Sequence, residues 1–334
     1  MINTTVCPSP QTVPLQRTGF LWGVNGHNKW HPSYPEDQLE DQFRLAAELG
    51  VDLYRFNYNP EKDDPYFEKV IETCCRFGLK MMLVMDDAGP APDSDGYSAA
   101  DEEAYIEKLA KRAADVAQQY AGKIEYLQIF NEVDIPCLVH GTDGDGRTLA
   151  QFSRDWLRIY ARRIQRVNAA VKSVNNAIKT VVNISYKHSG LFDYLETYEG
   201  GVPFDVMGLD WYSNMGDLEE MLTYLDRYPQ DEILICEINL WDGGLRGEED
   251  RTAYLQEVMN TAFHHSSEKV KGLFFYELMD ETALEPAGAD YNREAHFGLV
   301  TYAADHKILT AKPAYTAIHD LLIGKQPVSP SASQ

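Results

Sequence analysis

Two glutamates are the residues in this chain whose surroundings most suggest chemistry. Glu132 ends I-E-Y-L-Q-I-F-N-E (residues 124–132), an extended apolar run that stops abruptly at Asn131-Glu132. Glu237 ends a second such run, E-I-L-I-C-E (232–237). A buried parallel strand reads as a nearly continuous apolar stretch, and functional groups collect where it runs out. Two carboxyl groups facing each other at strand ends can divide labour. Repulsion and burial raise one pKa and leave a proton to give, while a neighbouring cation keeps the other group ionised. Arg55 in Y-R-F-N (54–57) is expected to be that cation, beside Glu237. Tyr212 in D-W-Y-S (210–213) can donate a hydrogen bond to the same carboxylate.

The elements that must position these groups alternate strictly. Strand patterns fall at residues 19–24, 51–56, 79–85, 124–130, 180–185, 205–211, 232–238 and 272–276, each followed by a helical pattern. Leu39, Phe43, Ala46 and Leu49 share one helical face with Gly50 as its stop, and Phe152, Trp156, Tyr160, Ile164, Val167 and Val171 mark a long amphipathic helix. Eight strand-then-helix units with no run of consecutive strands predict an α/β chain folded as a single (β/α)8 TIM barrel over residues 19–323. Residues 1–18 are expected to form an extended arm and residues 324–334, rich in Pro and Ser, a disordered tail.

In such a barrel the chemistry lies at the C-terminal ends of the strands. The polar and aromatic residues expected there are Asn25, His27 and Trp30 after strand one, Arg55 and Asn57 after strand two, and Asp86 after strand three. Asn131 and Glu132 follow strand four, Trp211 and Tyr212 strand six, Glu237 and Trp241 strand seven, and Tyr276 and Glu277 strand eight. A rim holding Trp22, Trp30, Tyr58, Trp211, Trp241 and Tyr276 suits the stacking of pyranose C–H faces, hence a neutral oligosaccharide. Two carboxyl groups about 5 Å apart are what a retaining glycosidase uses, and a small barrel is narrow enough to bring them there.

Composition narrows the partners. The 334 residues carry a formal charge of −22, which disfavours nucleic acid and anionic lipid, and no run approaches the roughly 18 apolar residues of a membrane span. The first ten residues lack a basic region followed by an apolar one, so no signal peptide is expected there. The compartment is left open between the cytoplasm and a secreted form with its leader trimmed. Oligomeric state is equally open, monomer or small homo-oligomer. Five cysteines (Cys7, Cys74, Cys75, Cys137, Cys236) form no zinc-like pair, and no disulfide framework is expected. T-D-G-D-G (142–146) lacks the closing glutamate of a calcium loop, having Arg154 in that place, so neither metal nor other cofactor is expected. His264 and His265, late in a helix, are expected to face solvent.

The motifs I-F-N-E, L-I-C-E, Y-R-F-N and D-W-Y-S on strands four, seven, two and six, with F-G-L-V-T-Y and K-P-A-Y near the end, resemble clan A, the large group of retaining (β/α)8-barrel glycoside hydrolases. Cellulases, β-mannanases, β-galactosidases and β-xylosidases belong to it. The resemblance implies that Glu132 is the acid/base, that Glu237 is the nucleophile, and that Asn131 binds a sugar 2-hydroxyl. The chain departs from the common pattern at Val133, where many members have proline, and at Tyr276-Glu277, where many end strand eight in tryptophan. Two other readings stand beside it: a metal-dependent barrel enzyme such as a sugar isomerase or amidohydrolase, and a catalytically silent carbohydrate-binding barrel.

Overall fold

The computed structural model describes residues 19–59, 65–85, 89–90, 96–139, 144–302 and 309–324. Eight parallel strands close into one barrel in sequence order: β1 Leu21–Gly26, β2 Leu53–Tyr58, β3 Lys80–Met85, β4 Ile124–Ile129, β5 Lys179–Ser185, β6 Val206–Tyr212, β7 Glu232–Asn239 and β8 Val270–Phe275. Closure comes from β1 pairing with β8, from Leu21 opposite Gly272 to Val24 opposite Phe275. The expected (β/α)8 barrel is therefore the fold. Unanticipated is a short antiparallel pair after the barrel, β9 Val300–Tyr302 with β10 Leu309–Ala311. The proposed arm and all but the first residue of the proposed tail lie outside the described residues.

Helix ends follow local chemistry. Ser98 and Asp101 form a reciprocal capping box at the start of the helix Ala99–Gln119. Gly50 takes a left-handed φ of 89° to end the helix Leu39–Leu49, a conformation glycine adopts without steric penalty.

Alternation along the strands creates two cores and one polar tier. Leu53, Met82, Tyr126, Val181, Val206, Leu234, Cys236 and Phe274 pack together inside the barrel. Trp22, Val24, Phe56, Tyr58, Leu127 and Trp211 belong instead to the large cluster between strands and helices. One step further along the inward-facing positions stand Asn25, Arg55, Gln128, Asn183 and Asp210, all buried. The apolar plug thus closes the barrel below, and the chemistry sits on top of it.

One strand breaks the alternation to useful effect. Leu209 pairs with Ile235 and Asp210 with Glu237, so Cys236 is an extra residue in β7. A bulge of this kind re-aims the next side chain along the strand. Cys236 joins the inner plug while the adjacent Glu237 faces the cavity above.

Close packing of the polar tier makes Gly208 a sensitive position: a Cβ there would lie 2.5 Å from Asn183 Cβ and 2.9 Å from its Cα. Gly208→Ala is expected to lower stability in urea unfolding by about 1–3 kcal/mol, the usual cost of overpacking, and to displace Asn183. An unchanged unfolding midpoint would show that the tier has slack.

Candidate active site

A cavity of about 340 Å³ opens at the C-terminal ends of the strands, and Glu132 and Glu237 both line it. Arg55, Asn57, Asn131, Tyr212, Trp241, Tyr276 and His27 line it too. A larger cavity of about 770 Å³ lies at the opposite end, around Lys179, Asp205 and Glu232 at the starts of β5 to β7. Its two lysines are already paired, Lys172 with Asp205 at 2.6 Å and Lys179 with Glu232. That end of a (β/α)8 barrel serves stability, so size does not decide in its favour.

Arg55 organises the upper site. Its guanidinium is buried and donates from Nε to Gln128 Oε1 at 3.0 Å and from Nη2 to Asn131 Oδ1 at 2.6 Å. Nη1 donates to Asn25 Oδ1 at 2.6 Å and to Glu237 Oε1 at 2.8 Å. Asn25 is anchored in turn by the carbonyls of Cys236 and Phe275, at 3.0 and 3.1 Å. The second oxygen of Glu237 accepts from Tyr212 Oη at 2.9 Å. Burial and the charge of Glu237 hold the Tyr212 pKa well above the ordinary phenol value, so the hydroxyl keeps its proton to donate.

Glu132 is held differently. Its φ is 47° and that of Phe130 is 66°, both in the left-handed region that non-glycine residues seldom occupy. Such strain costs on the order of 1–3 kcal/mol per residue and persists only where neighbours enforce it. Here Asn183 Oδ1 accepts from Glu132 N–H at 3.0 Å, and Gln128 Nε2 donates to the Phe130 carbonyl at 2.8 Å. Burial, then the nearby charges of Glu237 and Asp134, push the Glu132 pKa up to about 8, against smaller lowering effects from Ser185 and Arg55. The arrangement therefore offers one carboxyl group that stays protonated near neutral pH and one that is gripped by a cation and a hydroxyl.

Other expected site residues lie elsewhere. Trp211 is buried in the core between strands and helices, because its neighbours Asp210 and Tyr212 take the inward positions. Trp22 and Tyr58 are core residues by the same parity. Trp30 is not among the residues lining the cavity. Asn25 acts behind Arg55 rather than on the cavity wall. Glu277 is fully buried beside the cavity, accepting from Tyr34 Oη at 2.6 Å and lying 3.1 Å from His27 Nε2. Asp86 lies outside the described residues. The platform expected of Trp241 is altered, because the Arg293 guanidinium stacks 3.4 Å from its ring centroid. Away from the site, His265 is buried rather than exposed, held between Glu219 at 2.9 Å and Asp226 at 3.0 Å. The described cysteines are free thiols.

Several residues that matter are not singled out by the strand-end pattern. Gln128, Asn183 and Asp210 are polar residues inside apolar strands, visible only if inward parity is applied to the middle of each strand as well as its end. Asp210 accepts from Asn183 Nδ2 at 2.7 Å, and burial together with Glu237 and Glu132 raises its pKa well above the usual range. Arg293 and Glu294 reach the cavity from the long segment after β8.

Removing Arg55 leaves Glu237 and Asn131 without their shared donor in a buried place. Arg55→Ala is expected to cost about 3–5 kcal/mol in chemical unfolding, and Arg55→Lys less, since it keeps the charge but loses the fork. Equal effects of the two variants would show that charge alone matters.

No family model matches the chain, and no curated protein matches its sequence. Solved structures do resemble it. It superposes on the β-glucosidase from Thermotoga maritima in complex with deoxynojirimycin with a TM-score of 0.68 at 14% identity, covering 92% of this chain and 99% of that one. For the same organism's β-glucosidase in complex with methyl acetic acid-substituted glucoimidazole the TM-score is 0.69 at 13% identity, covering 93% and 99%. At that identity the likeness is one of fold: this chain has the barrel architecture of those enzymes along nearly their whole length.

Proposed function

We propose that the protein is a retaining β-glycoside hydrolase acting on a neutral β-linked oligo- or polysaccharide, with Glu132 as acid/base and Glu237 as nucleophile. The observation that carries the reading is the opposite treatment of two carboxyl groups on one cavity. One is desolvated and protonated up to a pH of about 8, and the other is bound by Arg55 and Tyr212. The clan A motifs and the fold shared with a β-glucosidase support it, and make β-glucosides the first substrates to try.

In the first step Glu132 gives its proton to the glycosidic oxygen while Glu237 attacks the anomeric carbon, forming a glycosyl ester and releasing the aglycone. In the second step Glu132, now ionised, takes a proton from water, which displaces Glu237 and restores the anomeric configuration. Attack weakens the negative charge on Glu237, so Tyr212 and Arg55 position that carboxylate rather than neutralise it. Asn131, fixed by Arg55 and by Asn183 Nδ2 at 3.0 Å, is placed to hydrogen-bond a sugar hydroxyl.

Glu237→Ala is expected to lower turnover of an aryl β-glucoside by several orders of magnitude, with added azide restoring release of the phenol and yielding the α-glucosyl azide. Full activity in that variant would end the assignment. For a natural leaving group kcat/KM should fall as pH rises through about 8, where Glu132 loses its proton. Glu132→Gln should abolish that limb.

The same pKa makes a stability prediction of definite sign. Glu132 binds its proton more tightly in the folded chain, to about 8, than at the ordinary value of 4.5. Its contribution is complete below the ordinary value and is lost as pH rises through the folded one. Glu132→Gln should therefore gain on the parent progressively between the two values, reaching on the order of 5 kcal/mol above about pH 8, and show no such advantage in acid. A pH-independent difference between the two proteins would contradict this.

A further inference from the structure

Beside the sugar cavity, at the seam where β1 meets β8, two histidines and two glutamates crowd together. One nitrogen each from His27 and His31 and one carboxylate oxygen of Glu281 all lie within 4.8 Å of one another. His27 Nε2 stands 3.5 Å from Glu281 Oε1 and 3.1 Å from Glu277 Oε2, and His31 Nδ1 stands 2.8 Å from Glu281 Oε2. The two imidazole rings stack with centroids 4.2 Å apart. We propose that His27, His31 and Glu281, with Glu277 as a fourth donor, bind one divalent cation of the zinc class.

Geometry and charge support this together. Donors about 2.0–2.2 Å from a common centre at tetrahedral angles stand about 3.4 Å apart, close to the His27–Glu281 and His27–Glu277 separations. Two nitrogens with two carboxylate oxygens are a donor set for zinc rather than for the oxygen-seeking calcium or magnesium. Glu277 and Glu281 are both buried, so whatever negative charge they carry must be matched locally, by protons on the imidazoles or by one dication. Tyr34, itself fully buried, donates to Glu277 Oε2 at 2.6 Å and accepts from Met279 N–H at 3.0 Å, which fixes the carboxylate in the manner of an outer-sphere support. His31 retains 29% side-chain exposure, giving the ion a way in.

A bound cation would tie the turn after β1 to the segment after β8, across the closing pair of strands. That role stands whether or not the barrel hydrolyses glycosides, and the test does not use glycosidase activity. Chelator-treated protein titrated with Zn²⁺ alone by calorimetry should take up one ion per chain with a Kd in the micromolar range or tighter. His31→Ala and Glu281→Gln should weaken binding by at least about 100-fold, beyond the usual cost of losing an outer-sphere partner. His319→Ala, on the outer helix, should leave it unchanged. Zn²⁺ should also raise the thermal midpoint of the parent but not of the two site variants. Absence of binding to the parent, or equal binding by all four proteins, overturns the proposal and leaves the cluster as a protonated ion-pair network. Should the site variants fail to fold, crystals of the parent soaked in Zn²⁺ decide the matter. An anomalous peak between the two imidazoles and Glu281 supports the site, and a peak elsewhere or none overturns it.

Discussion

The upper half of this barrel depends on one buried guanidinium. Arg55 is 2% exposed, and a cation so placed would be prohibitive without oxygens to receive it. It has four, from Asn25 on β1, Gln128 and Asn131 on and just beyond β4, and Glu237 on β7. A planar fork can serve these four directions at once, which an ammonium cannot. The consequence is mechanical as well as electrostatic: strands on opposite sides of the ring are referenced to one rigid group. The two carboxyl-bearing strand ends are therefore not independent.

Charge counting explains why those carboxyl groups differ. Glu132, Asp210 and Glu237 lie near one another, and Arg55 is the cation that reaches Glu237. Three ionised acids beside one cation in a poorly hydrated place would be costly, so protons must be retained somewhere. Burial selects the two acids that Arg55 does not touch, and the pKa values of Glu132 and Asp210 are both raised. The protonation pattern that the proposed double displacement would need thus follows from where the guanidinium is anchored. Aiming comes from backbone irregularity: the extra residue at Cys236 turns Glu237 inward, and left-handed turns at Phe130 and Glu132 fold the end of β4 over the cavity.

The architecture was legible because strand and helix periodicities alternate cleanly, and because polar residues closing apolar runs are conspicuous. Glu132, Asn131, Arg55, Tyr212 and Glu237 stand out that way, and the structure brings them to one cavity. The aromatic rim misleads for a physical reason. Aromatic residues near strand ends face the cavity or the helices according to parity alone, and Trp22, Tyr58 and Trp211 fall on the helix side. Bulges shift that parity, and nothing in L-I-C-E announces one. His265 misleads too, because a position near a helix end says nothing about the Glu219 and Asp226 side chains waiting on neighbouring segments.

Two parts of the chain build the cavity, and they are separable. The acid pair and its supports come from β1 to β7, where every group is held by strand backbone or by the Arg55 fork. Arg293, Glu294 and Phe297 come instead from the long segment between β8 and the final helix, Pro313–Ile323. That segment is fastened by its own bonds: Asn239 Nδ2 donates to the Phe297 carbonyl at 2.7 Å, and Lys312 Nζ reaches Asp280 at 2.6 Å. Arg293 covers one face of Trp241, and Glu294 is brought near enough to Glu237 for that charge to help raise its own pKa, after burial. Changes in this segment can reshape the wall facing a substrate without disturbing Arg55 or the bulge in β7. Within the proposed function, discrimination among sugars would then reside chiefly after β8, and the bond-breaking groups before it. This division also explains why the strand-end motifs point to a reaction class while leaving the sugar unnamed: the residues that would choose it lie in a stretch with no strand periodicity to place them.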